Sequence, residues 1–126
     1  MGGFNFDVLN SAIHASSIVP QTATSTVTGT AADMKDTGPL FAELQVGAVS
    51  GTTTTCDVKI QECDTSGGTY ADITGATFTQ VTTANQKQLK NFKRSKRFLK
   101  AVATIGGSSP SFALAVSIFG RKVIQS

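Results

Sequence analysis

Leu40-Phe41-Ala42-Glu43-Leu44-Gln45-Val46-Gly47-Ala48 and Phe112-Ala113-Leu114-Ala115-Val116-Ser117-Ile118-Phe119 decide how this chain is read. In the first, a period of two places Leu40, Ala42, Leu44, Val46 and Ala48 on one face of a strand. Phe41, Glu43, Gln45 and Gly47 fall on the other. Phe112, Leu114, Val116 and Ile118 form a matching inward set in the second, against Ala113, Ala115, Ser117 and Phe119. Between these stretches Cys56, Val58 and Ile60 alternate with Asp57, Lys59 and Gln61. No segment from Leu40 to Gly120 carries the spacing of an amphipathic helix.

Turn residues punctuate the strands. Ser50-Gly51-Thr52-Thr53 reads as a closing loop, Ser66-Gly67-Gly68 as a turn and Gly106-Gly107-Ser108-Ser109-Pro110 as a hairpin loop. Gly67-Gly68 and Gly106-Gly107 are expected at positive φ. Gln86 to Phe92 is a short strand with Leu89 as its inward residue. Arg97 to Ile105 is another strand. The count is about seven to nine strands at spacings of about 8 to 12 residues, the pattern of an all-β sandwich or barrel. Eight strands in two antiparallel sheets would make a jelly roll.

The first 20 residues differ from the rest. Phe4, Phe6, Val8, Leu9, Ile13, Ile18 and Val19 are irregularly spaced and end at Pro20. They read as an extended N-terminal arm or edge strand, followed by a sandwich domain over 21–126. Gln21 to Thr30 is rich in β-branched hydroxyl residues and reads as a strand. Ala31 to Gly38 reads as a turn.

A chain of 126 residues with 40% hydrophobic residues can bury one core. Only 15% of residues are charged, so the surface is rich in hydroxyls. There is no Trp and Tyr70 is the single Tyr, which leaves sugar or base platforms poorly supplied. The net charge of +3 hides an asymmetry. All eight acids lie at or before Asp72, against Lys35 and Lys59, while the other nine of the eleven Lys and Arg residues follow it. If the two halves formed poles, copies would meet head to tail or side by side, or the chain would meet an acidic partner. If they interleave in a sandwich, no poles result.

Cys56 and Cys63 stand seven positions apart on what reads as one strand, so free thiols are expected. Met1-Gly2-Gly3-Phe4 lacks a secretory signal's basic start and apolar run, and no apolar run approaches the ~20 residues of a membrane helix. Synthesis and folding in a reducing cytoplasm are expected, with no membrane partner.

Catalytic equipment is absent from the pattern. His14 is the only histidine, and with two cysteines it makes three soft-ligand residues in all, too few for the usual metal sites. Asp57, Glu62, Asp64 and Asp72 lack the alternation of a calcium loop and read as solvated turn carboxylates. Neither glycine pair has the Lys-Ser/Thr partner of a phosphate loop. Lys87, Lys90, Lys93, Arg94, Lys96, Arg97 and Lys100 form a dense basic run. In strand geometry it spreads over both faces, so a surface that meets acidic protein is expected in place of a nucleic-acid groove. No enzyme activity, catalytic residue, metal or cofactor is expected.

Asp57-Val58-Lys59-Ile60-Gln61-Glu62, then Asp64-Thr65-Ser66-Gly67-Gly68-Thr69-Tyr70-Ala71-Asp72-Ile73, then Thr77 to Val81, resembles small structural proteins of tailed bacteriophages. The likeness continues through Lys93 to Val102 and Gly106 to Phe112. It resembles in particular the jelly-roll decoration, or cement, proteins of phage capsids. That resemblance implies a virion component on the capsid exterior that bridges neighbouring major capsid proteins and stabilises the shell. It also implies a homo-oligomer, dimer or trimer, with no cofactor. A tail or neck component, or a carbohydrate-binding or host-adhesion module, is the alternative. The expected interface residues are Phe4, Phe6 and Ile13 from the arm, and Lys93, Arg94, Lys96 and Arg97 from the basic run.

Overall fold

The computed structural model describes residues 12–122, and every regular element among them is a strand. In chain order these are β1 (Ala12–Ala23), β2 (Val27–Thr28), β3 (Ala32–Asp33), β4 (Thr37–Cys63), β5 (Ala71–Thr77), β6 (Gln86–Phe92) and β7 (Phe98–Lys122). All their pairings are antiparallel.

Two long strands organise the rest. β4 and β7 pair from Thr37↔Lys122 to Cys63↔Phe98 as one continuous ribbon. Its register slips repeatedly between Val46 and Thr55, and Gly51, Thr53, Gly107 and Ser109 in the same region have positive φ. The ribbon bends there, and its halves enter different sheets. One sheet runs β1, the second half of β7, the first half of β4, then β6. The other runs β2 with β3, the first half of β7, the second half of β4, then β5. A long antiparallel ribbon folded over on itself in this order is a jelly roll. The chain is therefore an all-β antiparallel sandwich.

The bend corrects two readings. Ser50–Thr53 and Gly106–Pro110 close no hairpin; they are the passage of two paired strands through a shared corner. Their Gly and Ser content reflects that both strands must leave the pleat together. A Cβ at Gly107 would lie 2.8 Å from the Thr53 carbonyl oxygen, and one at Gly51 2.6 Å from that of Ser109. Of the two glycine pairs expected at positive φ, only Gly107 adopts it.

The inner faces form one core. Leu40, Ala42, Leu44 and Val46 pair with Gly120, Ile118, Val116 and Leu114, and all are buried. Across the sandwich, Cys56, Val58 and Ile60 join Leu99, Ala101 and Ala103, with Ile73, Phe78 and Met34 closing the sides. In β6 the parity differs from expectation. Phe92 pairs with Leu40 and is buried, whereas Leu89 pairs with Glu43 and is 62% exposed. One strand cannot turn Leu89 and Phe92 to the same face, and the larger ring takes the core.

Residues 12–20 of the segment read as an arm or edge strand lie in β1, which continues to Ala23; Phe4 and Phe6 lie outside the described residues. β1 pairs only with β7 among the elements, with register shifts after Ser16 and after Ile18. Pro20 falls in the second shift, where an edge strand tolerates a missing N–H. Ile18 is 1% exposed and Ile13 packs partly buried against the core. The buried Ser17 hydroxyl donates to the Thr30 carbonyl at 2.9 Å and accepts from the Ala101 N–H at 2.9 Å. β1 is thus fastened to the neighbouring β2–β3 segment and to β7.

Cys56 and Cys63 are free and buried, 0% and 8% exposed. Seven residues of strand hold their backbones about 23 Å apart, beyond disulfide reach. Burial, with a smaller contribution from Asp57, pushes the Cys56 thiol up to about 11.

Candidate interaction surfaces

Strand register assembles a surface on the outer face of the β1–β7–β4–β6 sheet. His14 pairs with Phe119, Phe119 with Phe41, and Phe41 with Asn91, so one row crosses four strands. The rings of His14 and Phe119 stack at 4.6 Å with 24° between planes, and those of Phe41 and Phe119 at 4.8 Å with 10°. These distances match the spacing between strands. The rings therefore stand on edge from the sheet with their faces against one another. Phe41 stays 38% exposed. The next row is Ser16, Ser117, Glu43 and Leu89, so the exposed Leu89 extends the apolar surface toward the β6 edge. Beyond it, Pro20, Thr22, Gln45, Gly47 and Ala113 line a shallow depression of about 310 Å³.

The alternation already set Phe41 and Phe119 on outward faces. It could not show that they meet, because the contact depends on the register between residues far apart in sequence. His14 thereby acquires a structural setting: it caps an aromatic stack.

The basic run lies elsewhere, and much of it is engaged within the molecule. Arg97 forks onto Asp33 with two bonds of 2.8 Å. That guanidinium, helped by the Lys35 N–H, holds the Asp33 carboxyl down at about 2. Arg94 donates from Nε to the Thr37 hydroxyl and from its terminal nitrogens to the carbonyls of Thr37 and Lys96. Lys96 reaches Asp64 at 3.3 Å, and Lys87 reaches Glu43 at 3.3 Å. Lys100 lies 4.0 Å from the centre of the Tyr70 ring. Glu62 accepts from the Ser95 N–H, the Ser95 hydroxyl and the Lys96 N–H, tying down the β6–β7 loop. Burial opposes its ionisation, but these bonds outweigh burial and lower its pKa.

The acidic first half and basic second half therefore interleave, because sheet pairing sets β3, β4 and the β4–β5 turn beside β6, β7 and their loop. Among the described residues Lys90 and Lys93 form no ion pair. Lys93 and Arg94 rim an open groove of about 710 Å³ whose walls are mostly hydrocarbon, with Leu40 and Phe92 among its lining. Of the expected interface residues, the structure thus brings Lys93, Arg94, Lys96 and Arg97 to one end of the sandwich and places Ile13 against the core.

Among the described residues no group of three or more His, Cys, Asp or Glu side chains is placed to hold a metal. No helix among them is long and apolar enough to cross a membrane.

No family model matches the sequence, and no curated protein matches it. Solved structures do share its fold. The chain is similar to the SPBc2 prophage-derived protein YomS at 14% identity and a TM-score of 0.50, over 88% of this chain and 95% of that one. It is similar to VP2 of the infectious bursal disease virus subviral particle at 15% identity and a TM-score of 0.54, over 89% of this chain and 32% of that one. The N-terminal cellulose-binding domain of Cellulomonas fimi β-1,4-glucanase C matches at 11% identity and a TM-score of 0.50, over 92% of this chain and 80% of that one. At such identities the likeness is one of fold: the chain is built on the sandwich that these proteins share.

Proposed function

We propose that the chain is a virion structural protein, a capsid decoration protein that lies on the outside of a phage head and joins neighbouring copies of the major capsid protein. The observation that carries this reading is the outer sheet face. It presents His14, Phe119, Phe41 and Leu89 in adjoining rows on a domain that is only 15% charged and rich in hydroxyl residues. An apolar strip with a polar surround suits a protein contact. Several such weak contacts to an ordered shell would add up through multivalency. The likeness in fold to a prophage-derived protein and to a viral particle protein supports the same reading. In this role the chain is no enzyme and needs no cofactor.

The carbohydrate-binding alternative has the cellulose-binding domain's fold likeness in its favour. Sugar platforms, however, offer ring faces, and here Phe119 has a stacked ring on either side. The outer face offers ring edges, which suit side chains better than pyranose rings.

Shell attachment tests the reading. Phe41→Ser and Leu89→Ser, made together, should leave the fold intact and reduce co-sedimentation of the chain with purified heads. Attachment at wild-type level would remove the outer face from the contact. Binding of the unmodified chain to an insoluble polysaccharide, lost in the same variant, would favour the alternative.

A further inference from the structure

Register gathers cations that the sequence keeps far apart. Leu40 pairs with both Phe92 and Gly120, so the next residues along, Lys93 and Arg121, pass that row at the same end of the sheet. Lys122 pairs with Thr37, and Arg94 donates to the Thr37 hydroxyl at 3.0 Å and to the Thr37 carbonyl at 3.1 Å. None of these four cations forms an ion pair among the described residues. Arg94 bonds neutral groups there, the third being the Lys96 carbonyl. Its position is fixed while its charge has no described acid against it. The acids of this end are directed elsewhere. Asp33 holds Arg97, on which Asp36 also acts, Asp64 holds Lys96, and Glu62 accepts from the Ser95 and Lys96 amides. Asp7 is the single acidic side chain outside the described residues, and it can offset one of the four charges.

This cationic end adjoins the aromatic row. Arg121 stands two positions beyond Phe119 on β7 and shares its outward face. An apolar row edged by positive charge suits a partner surface that is itself apolar and edged by carboxylates. Nucleic acid suits it less. Bases stack on ring faces, and Phe119 has a ring on either side. We propose that Lys93, Arg94, Arg121 and Lys122 form the charged margin of the outer-face contact and meet carboxylates of the shell protein. This rests on the decoration reading and names the chemistry of its partner.

Two charge-reversal pairs test it. Arg121→Glu with Lys122→Glu removes half the margin; both side chains are exposed, so the fold should survive. Lys59→Glu with Lys100→Glu makes the same change in net charge on the other sheet. Arg94 is left in place because it holds Thr37. In co-sedimentation with purified heads, wild-type attachment should weaken as salt rises. The margin pair should weaken it about fivefold or more at low salt and flatten the salt dependence, whereas the control pair should stay within about twofold of wild type. Equal losses from both pairs, or attachment that ignores salt, would overturn the proposal. Phe41→Ser with Leu89→Ser should lower attachment at every salt concentration and leave its salt slope unchanged. If that variant attaches normally while the margin pair does not, the outer-face reading fails and the charged margin stands. Immobilised poly-L-glutamate gives a readout without shells. Wild type should elute at higher salt than the margin pair, and the control pair should follow wild type. Tighter retention on double-stranded DNA than on poly-L-glutamate, lost in the margin pair, would replace the acidic protein with nucleic acid.

Discussion

The buried Ser17 hydroxyl makes two hydrogen bonds, to Thr30 and from Ala101, in a segment whose sequence reads as an arm or edge strand. Ser17→Ala should cost about 1 to 3 kcal/mol in urea titration, because it leaves the buried Ala101 N–H and the partly buried Thr30 carbonyl without that partner. Nothing in Ala12-Ile13-His14-Ala15-Ser16-Ser17 announces this. A serine inside a strand looks like a solvent-facing residue until the neighbouring chain is placed. Two titrating residues make opposite demands on pH. Cys56 is held as a thiol up to about 11 against an ordinary value of 9.0. Its contribution to stability is therefore complete below pH 9 and is lost as pH rises through 11. Alkylation of the folded protein at pH 9 should leave Cys56 unmodified until the chain unfolds. Asp33 is held down at about 2 against 3.8. Its contribution is present above pH 3.8 and disappears as pH falls through 2. Asp33→Asn should flatten that acid limb of a stability profile, by a small amount because the pair with Arg97 is solvent-exposed.

At the scale of elements, the bent β4–β7 ribbon makes the fold, and it was half legible. Period-two alternation located Leu40–Val46, Cys56–Ile60 and Phe112–Ile118 with their inward faces, since each has one buried side; Ala48, expected inward with the first set, is exposed because the register shifts after Val46. The corner was hidden because a strand bend and a hairpin loop use the same residues, Gly, Ser and Thr. What separates them is whether the chain returns beside itself or stays paired with a distant strand. Leu89 was misplaced for a related reason: with only two large apolar residues in Gln86–Phe92, three positions apart, either face satisfies local pattern. The corner makes a sharp prediction. Gly107→Val forces a β-branched side chain to φ 111° and into the Thr53 carbonyl. It should cost about 2 kcal/mol or more in a thermal melt, whereas Gly67→Val, with nothing near its Cβ and no positive φ, should be close to neutral.

Over the whole molecule, sheet pairing interleaves an acidic half with a basic half, which meet in three ion pairs among the described residues, and leaves an outer face that carries an aromatic row. The charge split was plain in the sequence; its cancellation depended on topology. The aromatic outer face was less legible than the core, because Phe41 and Phe119 become a surface only when register joins them. Replacing Val58, Ile60, Leu114 or Val116 by Ala should each cost about 1 to 4 kcal/mol, as all four are buried. Phe41→Ser should cost far less than these, since its ring is partly exposed and its loss opens no cavity. The central claim is that this face holds the chain on a shell. The most direct measurement is the copy number of the chain in purified particles, set against the main shell protein by quantitative mass spectrometry, for wild type and for the Phe41→Ser, Leu89→Ser pair. The account predicts a fixed, near-stoichiometric ratio for wild type and a large drop for the variant. A few copies per particle, or a ratio that the variant leaves unchanged, would contradict it.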